Sequence, residues 1–113
     1  MELLFVYGTL RRGGSANHKM RGAKFIVTTH TNGGYALAKY HGLPGIMESG
    51  KSNEVVKGDL YEVTEDHLYE LDRYEDRRYQ RKLVDLNDGN QAWAYVLPDD
   101  LNQEFEPVKF EDW

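Results

Sequence analysis

Apolar residues run unbroken from Leu3 to Tyr7 and stop at Gly8. A short apolar run bounded by a turn residue predicts a strand covered on both faces. Phe25 to Thr31 (FIVTTHT) and Tyr35 to Tyr40 are rich in β-branched and aromatic residues and predict two more strands. Asn32-Gly33-Gly34 between them predicts a hairpin turn. His41 to Gly50, with three glycines and a proline, predicts a loop. Val55 to Val63 (VVKGDLYEV) predicts a further strand, in which Gly58 marks a bulge or a close approach of two backbones.

The period then changes. Thr64 can cap a helix, and Glu65 and Asp66 suit its positive first turn. Leu68 and Leu71 supply the apolar face, and the run ends near Glu75-Asp76. Tyr79 to Leu86 and Gln91 to Leu97 predict a strand pair joined by Asn87-Asp88-Gly89-Asn90, the clearest hairpin signal in the chain. Pro98 ends it, and the aromatics Phe105, Phe110 and Trp113 predict that the acidic tail packs back on the body. One principal helix with about six strands predicts an α+β fold, a small mixed and mostly antiparallel β-barrel or curled sheet. The 113 residues suffice for one domain, residues 1–113, with a modest core.

Charge and composition narrow the function. Fourteen basic against nineteen acidic side chains leave a formal charge of −5, which disfavours a general nucleic-acid binder. A small anionic ligand held by local donors remains compatible with it. Cysteine is absent, so thiol nucleophiles, disulfides and thiolate metal sites fall away together. His18, His30, His41 and His67 show no metal-ligand spacing, and no metal is expected. MELLFVYGTL lacks the basic region and cleavage site of a signal peptide, and no apolar run approaches the roughly 18 residues of a membrane span. The expectation is a cytoplasmic protein without a membrane partner.

Gly8 to Ser15 reads G-T-L-R-R-G-G-S, one residue from the phosphate-loop pattern, with Gly14 where the lysine belongs. The next segment, ANHKMRGAKF, is a poor helix start because Gly22 interrupts it. Two other readings fit better. One is a plain glycine-rich turn leaving a core strand. The other is a nest of backbone N–H groups that binds a carboxylate or a developing oxyanion without any lysine. Arg11 and Arg12 could attract an anion, although a solvated basic pair is the simpler expectation.

The stretch LYELDRYEDRRY supplies a candidate reactive group. On a helical wheel Glu75 falls about 20° from Leu68 and about 40° from Leu71, so it lies on the buried stripe. Glu70 and Asp72 lie off that axis. Burial and the negative end of the helix dipole would both raise the pKa of Glu75, which makes a carboxyl useful as a proton carrier. The competing expectation is that the helix frays before Glu75, or that Arg77, Arg78 or Arg81 pairs with it structurally. Tyr79 and Arg81 share a strand face just after the helix and are candidate cavity residues.

FVYGTLRRG, Asn17-His18, GDLYEV and LDRYEDRRYQR occur in that order from Glu2 to about Leu86, and in this the chain closely resembles the γ-glutamylcyclotransferase-like family, above all its γ-glutamylaminecyclotransferase branch. That resemblance implies a small mixed barrel with one principal helix and no cofactor. It implies that a γ-glutamyl small molecule is the partner, and that the substrate's α-amine attacks its own γ-carbonyl to release 5-oxoproline and an amine. By position, Tyr7, Gly8, Thr9 and Leu10 would bind substrate, with backbone amides on the glutamyl carboxylate or the oxyanion, and Glu75 would be the catalytic acid/base. The alternative is a non-catalytic module that keeps the carboxylate-binding cavity. His41 to Glu54 and the segment from Asp99 onward do not share the family pattern clearly.

Overall fold

The computed structural model describes residues 1–40, 43–48, 54–75, 79–97 and 106–108. Among them stand one α-helix, α1 (Glu65–Glu75), and strands β1 (Glu2–Val6), β2 (Lys24–His30), β3 (Tyr35–Tyr40), β4 (Leu43–Glu48), β5 (Lys57–Val63), β6 (Gln80–Asp85), β7 (Gln91–Val96) and β8 (Glu106–Val108). The sheet runs in the order β2-β5-β1-β7-β4-β3-β8, and β6 lies beside β7.

β1 is the axis of the fold. It pairs antiparallel with β5, Leu4 opposite Tyr61, and parallel with β7, Leu4 opposite Trp93. Because side chains alternate along a strand, its unbroken apolar run feeds two cores. Phe5 and Tyr7 join Leu37, Ile46, Leu60 and Val96 on one face. Leu4 and Val6 join Tyr61, Val63, Tyr95 and the helix residues Leu68 and Leu71 on the other. The expected helix is present with its cap, since the Thr64 hydroxyl accepts from the His67 amide at 3.1 Å. The predicted hairpin is also present, with Gln80 opposite Val96 and Asp85 opposite Gln91. Its turn is closed by the Asp88 carboxylate on the Asn90 amide at 2.9 Å, with Gly89 at φ 89°.

Three expectations change and one is narrowed. The sheet is not closed into a barrel: β2 and β8 end the main path, and one isolated bridge, Thr31 to Leu86, ties the end of β2 to that of β6. Secondly, β2 and β3 form no hairpin, because β2 pairs with β5 while β3 pairs with β4 and β8. The buried Thr31 explains this: its amide reaches Val56 and its hydroxyl accepts from the Val56 amide, while Asn32 donates to Asp85. Those bonds pin the chain across the sheet before it can fold back on itself.

Thirdly, the predicted loop at His41 to Gly50 contains β4, paired with β3 along its length. Gly45 is needed there because the Leu97 side chain fills the space a Cβ would take. Of the two alternatives expected for Gly58, the close approach holds and the bulge does not. A Cβ on it would fall on the Val6 carbonyl and the Phe5 ring, whereas the register shift lies between Phe25 and Val27. The tail aromatics, Pro98, and the residues 41–42, 49–53 and 76–78 lie outside the described residues.

Candidate active site

The site begins where β1 stops. β7 is followed along one side first by β1, at Trp93, and then by β4, at Val96 opposite Ile46. The chain leaves the sheet between these two contacts, and the Tyr7 side chain fills the gap. Its hydroxyl donates to the Tyr95 carbonyl and accepts from the Ile46 amide at 3.1 Å, which ties the residue after β1 to both β7 and β4 at one atom. Burial pushes the Tyr7 phenol well above its usual 10.0, and Tyr79 and Glu75 push the same way against the Ile46 amide.

Beyond Tyr7 the loop holds its own shape. Arg11 N–H donates to Gly8, Gly14 to Arg11 and Ala16 to Thr9, at 3.1, 2.8 and 2.9 Å. The Asn17 amide group donates to the Leu10 carbonyl at 2.8 Å. By contrast, the backbone N–H groups of Gly8, Thr9 and Leu10 meet no acceptor among the described residues. Gly13 takes φ 81°, and a Cβ on Gly14 would land on the Thr9 carbonyl. No lysine fits at Gly14, and the next element is a four-residue 3-10 turn, Asn17–Met20, in place of the α-helix a phosphate loop requires.

Arg11 and Arg12 are not anion hooks. Asp59, only 1% exposed, accepts from the Arg12 amide at 2.9 Å, the Thr28 hydroxyl at 2.9 Å and Arg11 Nη2 at 3.4 Å. The Arg12 guanidinium also lies 3.8 Å above the Phe25 ring. This buried carboxylate ties the loop to β2 and β5.

A cavity of about 100 Å³ opens against the loop. Phe5, Val6, Tyr7, Gly8, Thr9 and Leu10 form one wall; Tyr74 and Glu75 at the end of α1, with Tyr79 and Tyr95, form the other. The half-buried Glu75 is the last described residue of α1, so the spacing argument and the strand-end loop meet in one place. Tyr79 lines the cavity; Arg81 does not. Arg81 instead grips Asp72, Nε at 2.9 Å and Nη2 at 3.1 Å, and Asp72 accepts from the Tyr95 hydroxyl at 2.7 Å. Burial, then Asp72, raises the Tyr95 pKa strongly, with Glu75 adding and Arg81 opposing. Arg77 and Arg78 lie outside the described residues, within which no three His, Asp or Glu side chains converge as a metal site would need. No helix of those residues is long and apolar enough to cross a membrane.

Sequence reasoning missed Asp72, Tyr95 and Asp59. For Asp72 a signal existed: three residues before Glu75 on one helix, it is a side-chain neighbour of the acid. Tyr95 and Asp59 gave none, because their roles depend on which strands meet.

An α+β sheet with a strand-end loop facing a helix-end carboxylate defines a class of small cavity proteins. The profile of the family "Gamma-glutamyl cyclotransferase, AIG2-like" matches residues 4–113, and the chain belongs to that family. A Methanocaldococcus jannaschii protein, provisionally named a gamma-glutamylcyclotransferase, is 34% identical over all of this chain and 98% of its own. Human gamma-glutamylaminecyclotransferase is 35% identical over 74% of this chain and 61% of its own. The crystal structure of a mouse AIG2-like protein superposes with a TM-score of 0.72 at 32% identity, covering 85% of this chain and 76% of that one.

Proposed function

We propose that this chain is a γ-glutamyl cyclotransferase, converting a γ-glutamyl amide into 5-oxoproline and a free amine with Glu75 as general acid/base. The observation that carries the reading is the cavity itself, lined both by loop residues whose amides meet no acceptor among the described residues and by Glu75 from far along the chain. Family membership supports the general activity.

The substrate enters with its α-nitrogen as an ammonium. Glu75 removes one proton, and the freed amine attacks the γ-carbonyl carbon, closing a five-membered ring. The carbonyl oxygen becomes an oxyanion, and the N–H groups of Gly8, Thr9 and Leu10 are the donors available to it or to the glutamyl carboxylate. The tetrahedral centre collapses as the bond to the amine breaks. Two protons have then left the α-nitrogen, passing in turn through Glu75, and both end on the departing amine, released as ammonium. Attacking and departing groups belong to one molecule, so binding the cyclising conformation can supply up to about 7–11 kcal/mol. Oxyanion donors contribute roughly 3–4 kcal/mol each.

The test is to incubate the purified protein with γ-glutamyl amino acids, γ-glutamyl-ε-lysine and glutathione and to measure 5-oxoproline. Product from at least one of them is expected. None from any overturns the reading, and full activity in Glu75→Gln overturns the role of that residue.

A further inference from the structure

Tyr95 faces the cavity with its hydroxyl already committed in one direction. It donates to Asp72 at 2.7 Å, with the more distant Leu68 carbonyl at 3.5 Å. Asp72 is held in turn by both arms of Arg81, whose guanidinium lies 4.5 Å over the Trp93 ring. The Trp93 indole N–H donates to Glu2 at 3.2 Å, so the chain of contacts runs from the cavity across to β1.

A carboxylate accepts and cannot donate, so the Tyr95 proton must point at Asp72. The oxygen lone pairs are then left for another donor, and donation to an anion makes that oxygen a better acceptor. Tyr7 cannot take this part, since its hydroxyl already serves the Tyr95 carbonyl and the Ile46 amide. Glu75 and Tyr95 line the same cavity, so a cation that surrenders a proton to Glu75 shares that space with the Tyr95 side chain.

We propose that Tyr95, oriented by the Asp72–Arg81 pair, accepts a hydrogen bond from the α-ammonium of the γ-glutamyl substrate and selects ligands that carry it. Asp72 and Arg81 act through Tyr95 and are positioning residues. The assignment rests on the γ-glutamyl reading of the cavity and adds to it the element that recognises the cation.

The experiment uses Glu75→Gln, in which turnover is suppressed, and two probes. These are γ-L-glutamyl-L-alanine and glutaryl-L-alanine, the same molecule without its α-amine. Calorimetric binding is compared before and after adding Tyr95→Phe or Asp72→Asn. Each addition should weaken the γ-glutamyl compound roughly 10- to 100-fold, as loss of a bond to a charged group does. The glutaryl compound should change less than about twofold, since it makes no such bond. Parallel losses for both ligands, or none for either, overturn the proposal. If both added variants unfold, the parent decides: Glu75→Gln binding the two probes equally, or neither, overturns it. The two readings fail separately. A selective loss with no 5-oxoproline from wild type leaves the ammonium site and removes the reaction, while product without selective loss does the reverse.

Discussion

The two walls of the cavity are built on opposite plans. The loop wall offers backbone, and its charged side chains lie elsewhere, Arg11 on Asp59 and Arg12 between Asp59 and the Phe25 ring. The helix wall offers side chains, Glu75 and Tyr95 among them, backed by Asp72 and Arg81. Each wall is fixed by a carboxylate–arginine contact, but the carboxylates differ. Asp59 is buried and grips a backbone amide, whereas Asp72 is about one-third exposed (32%) and grips a phenol. It follows that the loop depends on space and backbone position, while the helix end depends on functional groups. Substitutions should separate the two.

The largest effect belongs to the helix wall. Glu75→Gln keeps the size and the helix but removes the proton carrier, and 5-oxoproline release should fall by ~10²–10⁴-fold with thermal stability unchanged. An equal fall in stability would make Glu75 a structural residue and dissolve the contrast. The loop wall should respond the other way. Asp59→Ala leaves the Arg12 amide and the Thr28 hydroxyl without their acceptor inside the protein. We expect a loss of about 3 kcal/mol in urea unfolding, with activity falling because the loop amides shift. Stability within a few tenths of a kcal/mol of wild type would show that the loop stands without its anchor.

Gly14→Ala probes the same wall by volume alone. The added methyl meets the Thr9 carbonyl and, at 2.9 Å, the Arg11 carbonyl, both of them rigid backbone. Overpacking of this kind costs about 1–3 kcal/mol, and the strain falls on Thr9, which lines the cavity. A thermal melt together with a KM measurement would check it, and an unperturbed KM would remove Thr9 from the binding surface.

Where the walls meet, Tyr7 and Tyr95 give a pH signature. Both phenols titrate higher folded than unfolded, so above about pH 10 the unfolded chain releases protons that the folded one retains. Stability should therefore be full below that pH and decline as the solution grows more alkaline. Tyr7→Phe should lower stability at neutral pH by about 1–2 kcal/mol, through the Ile46 amide left without its partner, and should flatten part of the alkaline decline. Denaturant midpoints from pH 8 to 11 would read both effects.

The same contrast explains what the sequence could disclose. Leu3–Tyr7 was legible because a strand buried on both faces must be apolar throughout, and Glu75 was legible because helical spacing places a side chain without knowledge of its neighbours. β4 was not, since Gly45 looks like a loop residue until Leu97 is seen against it. Strand partners were equally hidden. Asn32-Gly33-Gly34 has hairpin chemistry, yet the Thr31 bonds to Val56 send the chain elsewhere. Asp59 and Tyr95 act through pairings 47 and 23 residues distant, which no local pattern encodes. Barrel closure failed as an expectation for a related reason: counting strands says nothing about whether the first and last of them meet.

The smallest test lies at the far end of the helix. Thr64 caps α1 through the His67 amide and does not line the cavity. Thr64→Ala should cost about 1 kcal/mol of stability, as loss of an N-cap does. The cap is about three turns from Glu75, at roughly 3.6 residues per turn. Fraying there leaves Leu68 and Leu71 in the core, so the position of the helix end should hold. We therefore expect a lowered melting temperature with kcat and KM for γ-glutamyl substrate unchanged. A fall in kcat at a temperature where the variant is folded would mean that the helix wall is tuned along its whole length, and that its chemistry cannot be separated from its scaffold.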